Sequence, residues 1–159
     1  MIEHGRRKIL HFNVTSRPAS DWVVQQLREA FPSAGPYEYI LLDHDSKFDA
    51  EVIAVLKAIS LTPKRTSVQA PWQNGLAERW VGSCRREMLD HVIALNEPHL
   101  RRLIRDYVNY HHDDRTHDSL HKDAPNHRPI EHKPSPEATL ISHSRLGGLH
   151  HRYSWREAA

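Results

Sequence analysis

The order of apolar patterns along these 159 residues predicts an α/β layer architecture. Three observations carry it. Short runs rich in β-formers, RKILHFNV, YILL and KRTSV, alternate with stretches whose apolar residues recur every three or four positions. Pro, Gly and Ser separate those runs. Asp49 and Asn96 stand where helix caps belong.

The elements follow in order. RKILHFNV, residues 7 to 14, carries Ile9, Leu10, Phe12 and Val14 in loose alternation and reads as a strand. From Asp21 to Phe31, Val23, Leu27, Ala30 and Phe31 fall on one helical face, and Pro32 with the SAGP stretch ends it. Tyr39 to Leu42 is a short apolar run, a buried strand that closes in Asp43. Asp49 caps a helix striped by Val52, Val55, Leu56 and Ile59. KRTSV, residues 64 to 68, makes a weak third strand. Leu76, Ala77, Val81, Cys84 and Met88 then line a helix running to about Val92. Asn96 caps another, with Leu100, Leu103, Ile104, Tyr107 and Val108 inward. Periodicity stops after Tyr110. The remainder is polar, rich in His and punctuated by prolines and Gly147-Gly148. It is expected to be loop-like or disordered. The domain expectation is a core over 1–130 and a tail over 131–159.

Composition sets broad limits. The length suits one domain with a sizeable core. A formal charge of +2 and a pI near 8.8 are mildly basic and do not by themselves require nucleic acid. One cysteine, Cys84, excludes an intramolecular disulfide. It lies on an apolar helix face, as a core residue would. No apolar stretch approaches the roughly 18 residues of a membrane span, and MIEHGRRKIL lacks the apolar region of a signal peptide. A soluble, cytoplasmic protein is expected.

The chemistry converges on two acids. Sites in α/β sheets form at the carboxyl ends of strands. Asp43 closes one strand, and Glu78 begins the helix after the next, in APWQNGLAERW. Two carboxylates at one sheet edge suit Mg2+ or Mn2+, which favour oxygen ligands and can activate a water or hydroxyl against a phosphodiester. Arg85 lies two turns beyond Glu78 on about the same face, and Arg79 and Arg86 share a flank. With Gln73 and Asn74 they are candidate DNA contacts, since phosphate contacts dominate nucleic-acid affinity. The plainer reading stands beside this one. An Asp after a strand is commonly a turn residue, a Glu in a first helical turn favours the dipole, and helical arginines are commonly solvated.

Three segments bring these pieces together. LLDHDSKF places Phe48 five residues after Asp43; PWQNGLAERW sets Glu78 after a proline and an Asn-Gly pair; and YHHDDRTHDSLHKDAP follows. With RRKILHFNVT, AERWVGSCRREMLDHV and GLHHRY, they resemble the catalytic core of the retroviral-integrase superfamily, most closely bacterial insertion-sequence transposases of the DDE type. The resemblance covers roughly residues 7 to 130. It implies an RNase H-like three-layer fold and a triad of two Asp and one Glu binding two divalent ions. Asp43 and Glu78 match the second and third acids, and thirty-four residues lie between them, close to the spacing usual in the family.

Two departures matter. Asp45 stands where the family has a small residue and is a rival ligand, although the offset to Phe48 favours Asp43. The family's first acid lies on a strand upstream of the one RRKILHFNVT resembles. The expectation is a core lacking its first two strands, with Glu3 the only upstream acid and in the wrong element. In the resembled fold those strands fill the middle of the sheet. Each buried backbone group left unpaired would cost about 1–3 kcal/mol, against a margin of about 5–15 kcal/mol for a whole domain. RKILHF pairing directly with YILL, in a three-stranded sheet, is one remedy.

The histidines carry a weaker signal. His117 and His121, four apart, have zinc-ligand spacing, but the surroundings look like loop and offer no Cys or third ligand, so packing is the expectation. His150, His151 and Arg152 could touch phosphate without sequence choice. Trp72 and Trp80 flank Glu78; either could stack on a base, with Trp80 expected in the core.

The expected function is DNA transposition or integration by a metal-dependent DDE core, incomplete and inactive alone. Its expected partners are DNA, and a homo-oligomer or a full-length transposase. The alternatives are a non-enzymatic remnant that binds DNA or associates with a transposase, and a nuclease recruiting its missing acid from another chain.

Overall fold

The computed structural model describes residues 1–33 and 35–157, so Ala34 of the SAGP stretch lies outside the described residues. The chain folds as two compact units. The first comprises Met1–Ile2 and Ile9–Val81, the second Glu3–Lys8 and Gly82–Ala159. The second runs unbroken across residue 130. Mixed helix and strand content agrees with the α/β expectation.

In the first unit, α1 (Ser20–Ala30) and α2 (Ala50–Ala58) accompany two parallel strands, β1 (Tyr39–Leu42) and β2 (Thr62–Arg65). Val24 and Leu27 of α1, Leu42 of β1, Val52 and Leu56 of α2, and Leu61 form the core. Asp49 caps α2 as its position suggested. Its Oδ1 accepts from the N–H groups of Glu51 (3.0 Å) and Val52 (3.1 Å), satisfying two donors that the first turn cannot. Asp49→Ala is expected to lower stability, read as a fall in the urea midpoint with an unchanged slope.

The strand expected over RKILHFNV does not form. Among the described residues, only an isolated antiparallel bridge between Ile2 and Ile9 is present. Strand propensity is realised only against a partner, and here polar anchors to α1 take that place. The Gln26 carboxamide oxygen receives the Asn13 amide at 2.7 Å and meets His11 Nε2 at 2.8 Å. Gln26 is itself buried. β1 pairs only with β2, not with RKILHF, and no continuous three-layer sheet appears among the described elements. β2 also sits two residues earlier than expected. Its ladder runs from Thr62 N–H to Glu38 C=O (2.8 Å) through Thr66 N–H to Leu42 C=O (2.9 Å). The intervening register turns Pro63, which has no N–H, toward the open edge where proline is tolerated.

α3 (Gly75–Glu87) joins the two units. It ends short of Val92 because Met88 leaves helical geometry (φ −141°) and a 3-10 turn follows at Leu89–His91. Cys84 and Met88 are buried as expected, whereas Val81 is exposed. In the second unit, α4 (Glu97–Asp113) opens on Asn96, whose side chain accepts from His99 N–H at 2.8 Å. It runs one turn beyond Tyr110, burying His111 beside Tyr107 and Val108.

A half-buried ionic network organises this unit. Glu87 receives Arg115 at 2.7 Å (Nη2) and 2.9 Å (Nε), and the Tyr107 hydroxyl at 2.9 Å. Burial alone would raise the Glu87 pKa, but the hydrogen bonds and charge of Arg115, with Tyr107, outweigh it and hold the carboxyl below its usual range. Burial and Glu87 together push the Tyr107 phenol up. Arg6 ties the Glu3–Lys8 segment in, donating to Asp123 (2.8 Å) and to the Ala124 carbonyl (2.6 Å).

The tail expected as loop forms an antiparallel hairpin, β3 (Thr139–Arg145) and β4 (His150–Arg156). Its turn places Gly147 and Gly148 at φ 67° and 97°, which glycine adopts without Cβ strain. On one face Arg145 donates to Asp114 at 2.6 Å, and that carboxylate is 4% exposed.

Candidate functional site

Asp43 follows β1 directly and its carboxylate is exposed. Its Oδ1 accepts from Asp45 N–H at 3.0 Å, closing a tight turn at the strand end. The rival Asp45 is committed elsewhere. It caps Lys47 N–H at 3.0 Å and forms an ion pair with the Lys47 ammonium, whose hydrogen bond holds its carboxyl below the usual range. Asp43 is therefore the freer ligand of the two.

The loop that carries Asp43 is fastened to β2. The Arg65 guanidinium donates to the carbonyl of Asp43 at 3.2 Å and to that of Phe48. His44 Nε2 meets the Thr66 carbonyl at 2.6 Å. Neither Arg65 nor His44 stood out in the sequence. Their role depends on the β1–β2 register, which no local pattern reveals.

Glu78 lies in the first turn of α3, exposed, and makes no hydrogen bond or ion pair among the described residues. The start of α3 is anchored at the same strand ends. A 3-10 turn over Pro71–Asn74 leads into it. Gln73 Oε1 in that turn accepts from Ser67 N–H at 2.6 Å, and Gln73 Nε2 donates to Ser67 Oγ at 3.2 Å. Ser67 directly follows Thr66, which pairs with Leu42. The Asp43 turn and the Gln73 approach to α3 are thus fastened at one end of the β1–β2 pair, and Glu78 follows Gln73 by five residues within the first unit.

The expected DNA contacts divide. Gln73 is occupied internally and works as a positioning residue for the α3 start. Asn74 ends the 3-10 turn, half-buried. Arg79 is exposed on α3 within the first unit; Arg85 and Arg86 are exposed on α3 within the second. Among the described residues Arg85 meets Asp90, at 3.4 Å with both side chains largely solvated, a contact worth little. Trp72 is 74% exposed, and Trp80 is half-buried.

The described residues contain no group of three or more His, Cys, Asp or Glu side chains able to hold a metal ion. The zinc spacing of His117 and His121 accordingly finds no third ligand among them. His117 instead packs edge-on to His111 with ring centroids 4.8 Å apart. Two exposed carboxylates fit a loosely held, hydrated cation. They do not fit a two-ion site, which needs more anionic oxygens than Asp43 and Glu78 supply.

Residues 60–125 match the family model described as an integrase core domain. The match supports assigning this segment to the integrase/transposase catalytic-core superfamily. This integrase-core segment contains Glu78, the PWQNGLAERW stretch, the three arginines of α3 and the Glu87–Arg115 network; Asp43 and β1 precede it. No curated protein and no solved structure matches the chain. No helix among the described residues is long and apolar enough to cross a membrane.

Proposed function

We propose that the chain supplies part of a DDE-type core for DNA transposition or integration, with Asp43 and Glu78 as two of its acids. The observation that supports this reading is that the integrase-core segment contains Glu78, and that Gln73, just before it, is fastened at the strand end from which Asp43 leaves. An RNase H-like arrangement is the fold we assign to the assembled core. Exposed arginines on α3 suit phosphate, so duplex DNA is the substrate class.

Two acids do not complete the chemistry, so the chain alone acts as a DNA-binding component. The remaining carboxylate of the assembled core comes from outside these 159 residues. What this chain contributes is position. Arg65 and His44 hold the Asp43 turn, and Gln73 holds the start of the helix bearing Glu78. In purified form, the chain is expected to retard labelled duplex DNA in a gel with or without Mg2+ and to release no cut product. A metal-dependent cut product that vanishes in Glu78→Gln would overturn the incomplete reading. Absence of any retardation would overturn the DNA-binding one.

A further inference from the structure

The ribbon at the end of the chain lies outside the matched segment, and its composition is one-sided. β3 reads TLISHSR and β4 reads HHRYSWR: three arginines, three histidines and no carboxylate. The strand register sorts these side chains onto two faces. The inward face is occupied. Arg145 and Arg152 meet Asp114 at 2.6 and 3.4 Å, and His150 bonds the Glu87 carbonyl at 3.0 Å and stacks on Tyr110.

The opposite face carries Leu140, Ser142 and Ser144 on β3 and His151, Tyr153 and Trp155 on β4. Leu140 is 57% exposed and Tyr153 52%. Rings at alternate positions of one strand recur about every 6.5–7 Å, and the His151 and Tyr153 centroids stand 6.4 Å apart. Trp155 is held by its indole N–H on the Glu131 carbonyl (3.3 Å), with the Lys133 ammonium over its ring at 5.7 Å. Of the nearby acids, Glu131 is paired with Arg152 at 3.6 Å, while Glu137 and Glu157 lie outside the strands.

We propose that this face binds single-stranded nucleic acid, with Tyr153 as the central stacking platform. The exposed His151 and Tyr153 rings each offer a π-surface to an unstacked base, and serines alternating on the facing strand are donors for phosphate or sugar. This face carries no carboxylate, and the Lys133 ammonium beside Trp155 supplies a cation for a polyanion. A protein-binding face would instead call for a continuous apolar patch, which Ser142 and Ser144 interrupt. The proposal rests on the reading of the chain as acting on DNA, and adds where and in what form DNA is held.

The test is fluorescence anisotropy of the full chain with a labelled oligothymidylate and a duplex of the same length, both in EDTA. Binding of the single strand should be tighter than that of the duplex, weakened by about tenfold in Tyr153→Ala, and retained in Tyr153→Phe. Circular dichroism checks that each variant is folded, and His151→Ala, weakening the same binding, provides a second reading if Tyr153→Ala is not. Equal binding by wild type and Tyr153→Ala overturns the proposal, as does preference for the duplex. So does a Tyr153→Ala variant that disperses a self-associated species in sedimentation while binding oligothymidylate normally, since the face then serves a second copy. Without a divalent ion present, these outcomes leave the Asp43–Glu78 reading untouched.

Discussion

Replacing Arg115 with methionine should lower the unfolding free energy by about 2 kcal/mol, less than the roughly 3–5 kcal/mol of stranding a fully buried charge because solvent partly reaches the pair. Arg115 grips Glu87 through two nitrogens at 2.7 and 2.9 Å, and both side chains are 23% exposed. Without the guanidinium, Glu87 keeps the Tyr107 hydroxyl at 2.9 Å but loses its counter-charge. Arg115 Nη2 also reaches Ser83 Oγ at 3.3 Å, so the change loosens the α3 end as well. The double variant Glu87→Gln/Arg115→Met should recover part of the loss, because no charge is then left unpaired. Urea titration of the three proteins measures this. A single variant within about 0.5 kcal/mol of wild type, the ordinary range of surface substitutions, would mean that the network carries no stability.

Acidification should destabilise the second unit well above the pH at which carboxylates titrate. His111 is 3% exposed, and its Nε2 bonds the Arg7 carbonyl at 2.9 Å, leaving Nδ1 buried without a hydrogen-bond partner. Burial pushes its pKa down to about 4, opposed by the Arg7 carbonyl and aided by the charges of His117, His112 and Arg115. Burial and then Arg115 lower that of His117 to about 4 as well. A folded pKa below the unfolded value means that the unfolded chain binds more protons. The contribution is therefore fully present above about pH 6.5 and is lost as pH falls through about 4. For His111 it amounts to about 3 kcal/mol in full. About 2 kcal/mol of that has gone by about pH 5, where carboxylates are still ionised in the unfolded chain. His111→Gln keeps a donor for the Arg7 carbonyl and removes the titration, so its stability should fall less steeply between about pH 7 and 5. An unchanged slope would place the acid sensitivity elsewhere.

What could be read from the sequence was local. Asp49 and Asn96 cap helices because a short acceptor before an amphipathic run has few other uses. YILL reads as a strand ending at Asp43 because four apolar residues between breakers are too few for a helix. RKILHFNV misled because β-propensity without a partner decides nothing, and the groups holding it, Asn13 and Gln26, are polar and thirteen residues apart. The hairpin was hidden because its alternation places Ser and His on both faces, and Gly147-Gly148 signals a turn as readily as disorder. Long-range pairings left no local trace. Arg65 reaches back to Asp43 across twenty-two residues, and Arg115 reaches Glu87 across twenty-eight.

The central claim is that Asp43 and Glu78 address one point in space. Nuclear magnetic resonance of the labelled chain with traces of Mn2+ reads it directly, since a paramagnetic ion erases signals of nearby amides. The amides around Asp43 and those around Glu78 should fade together, and either Asp43→Asn or Glu78→Gln should restore both sets. Fading of one set alone, or restoration of only the substituted one, would contradict the claim.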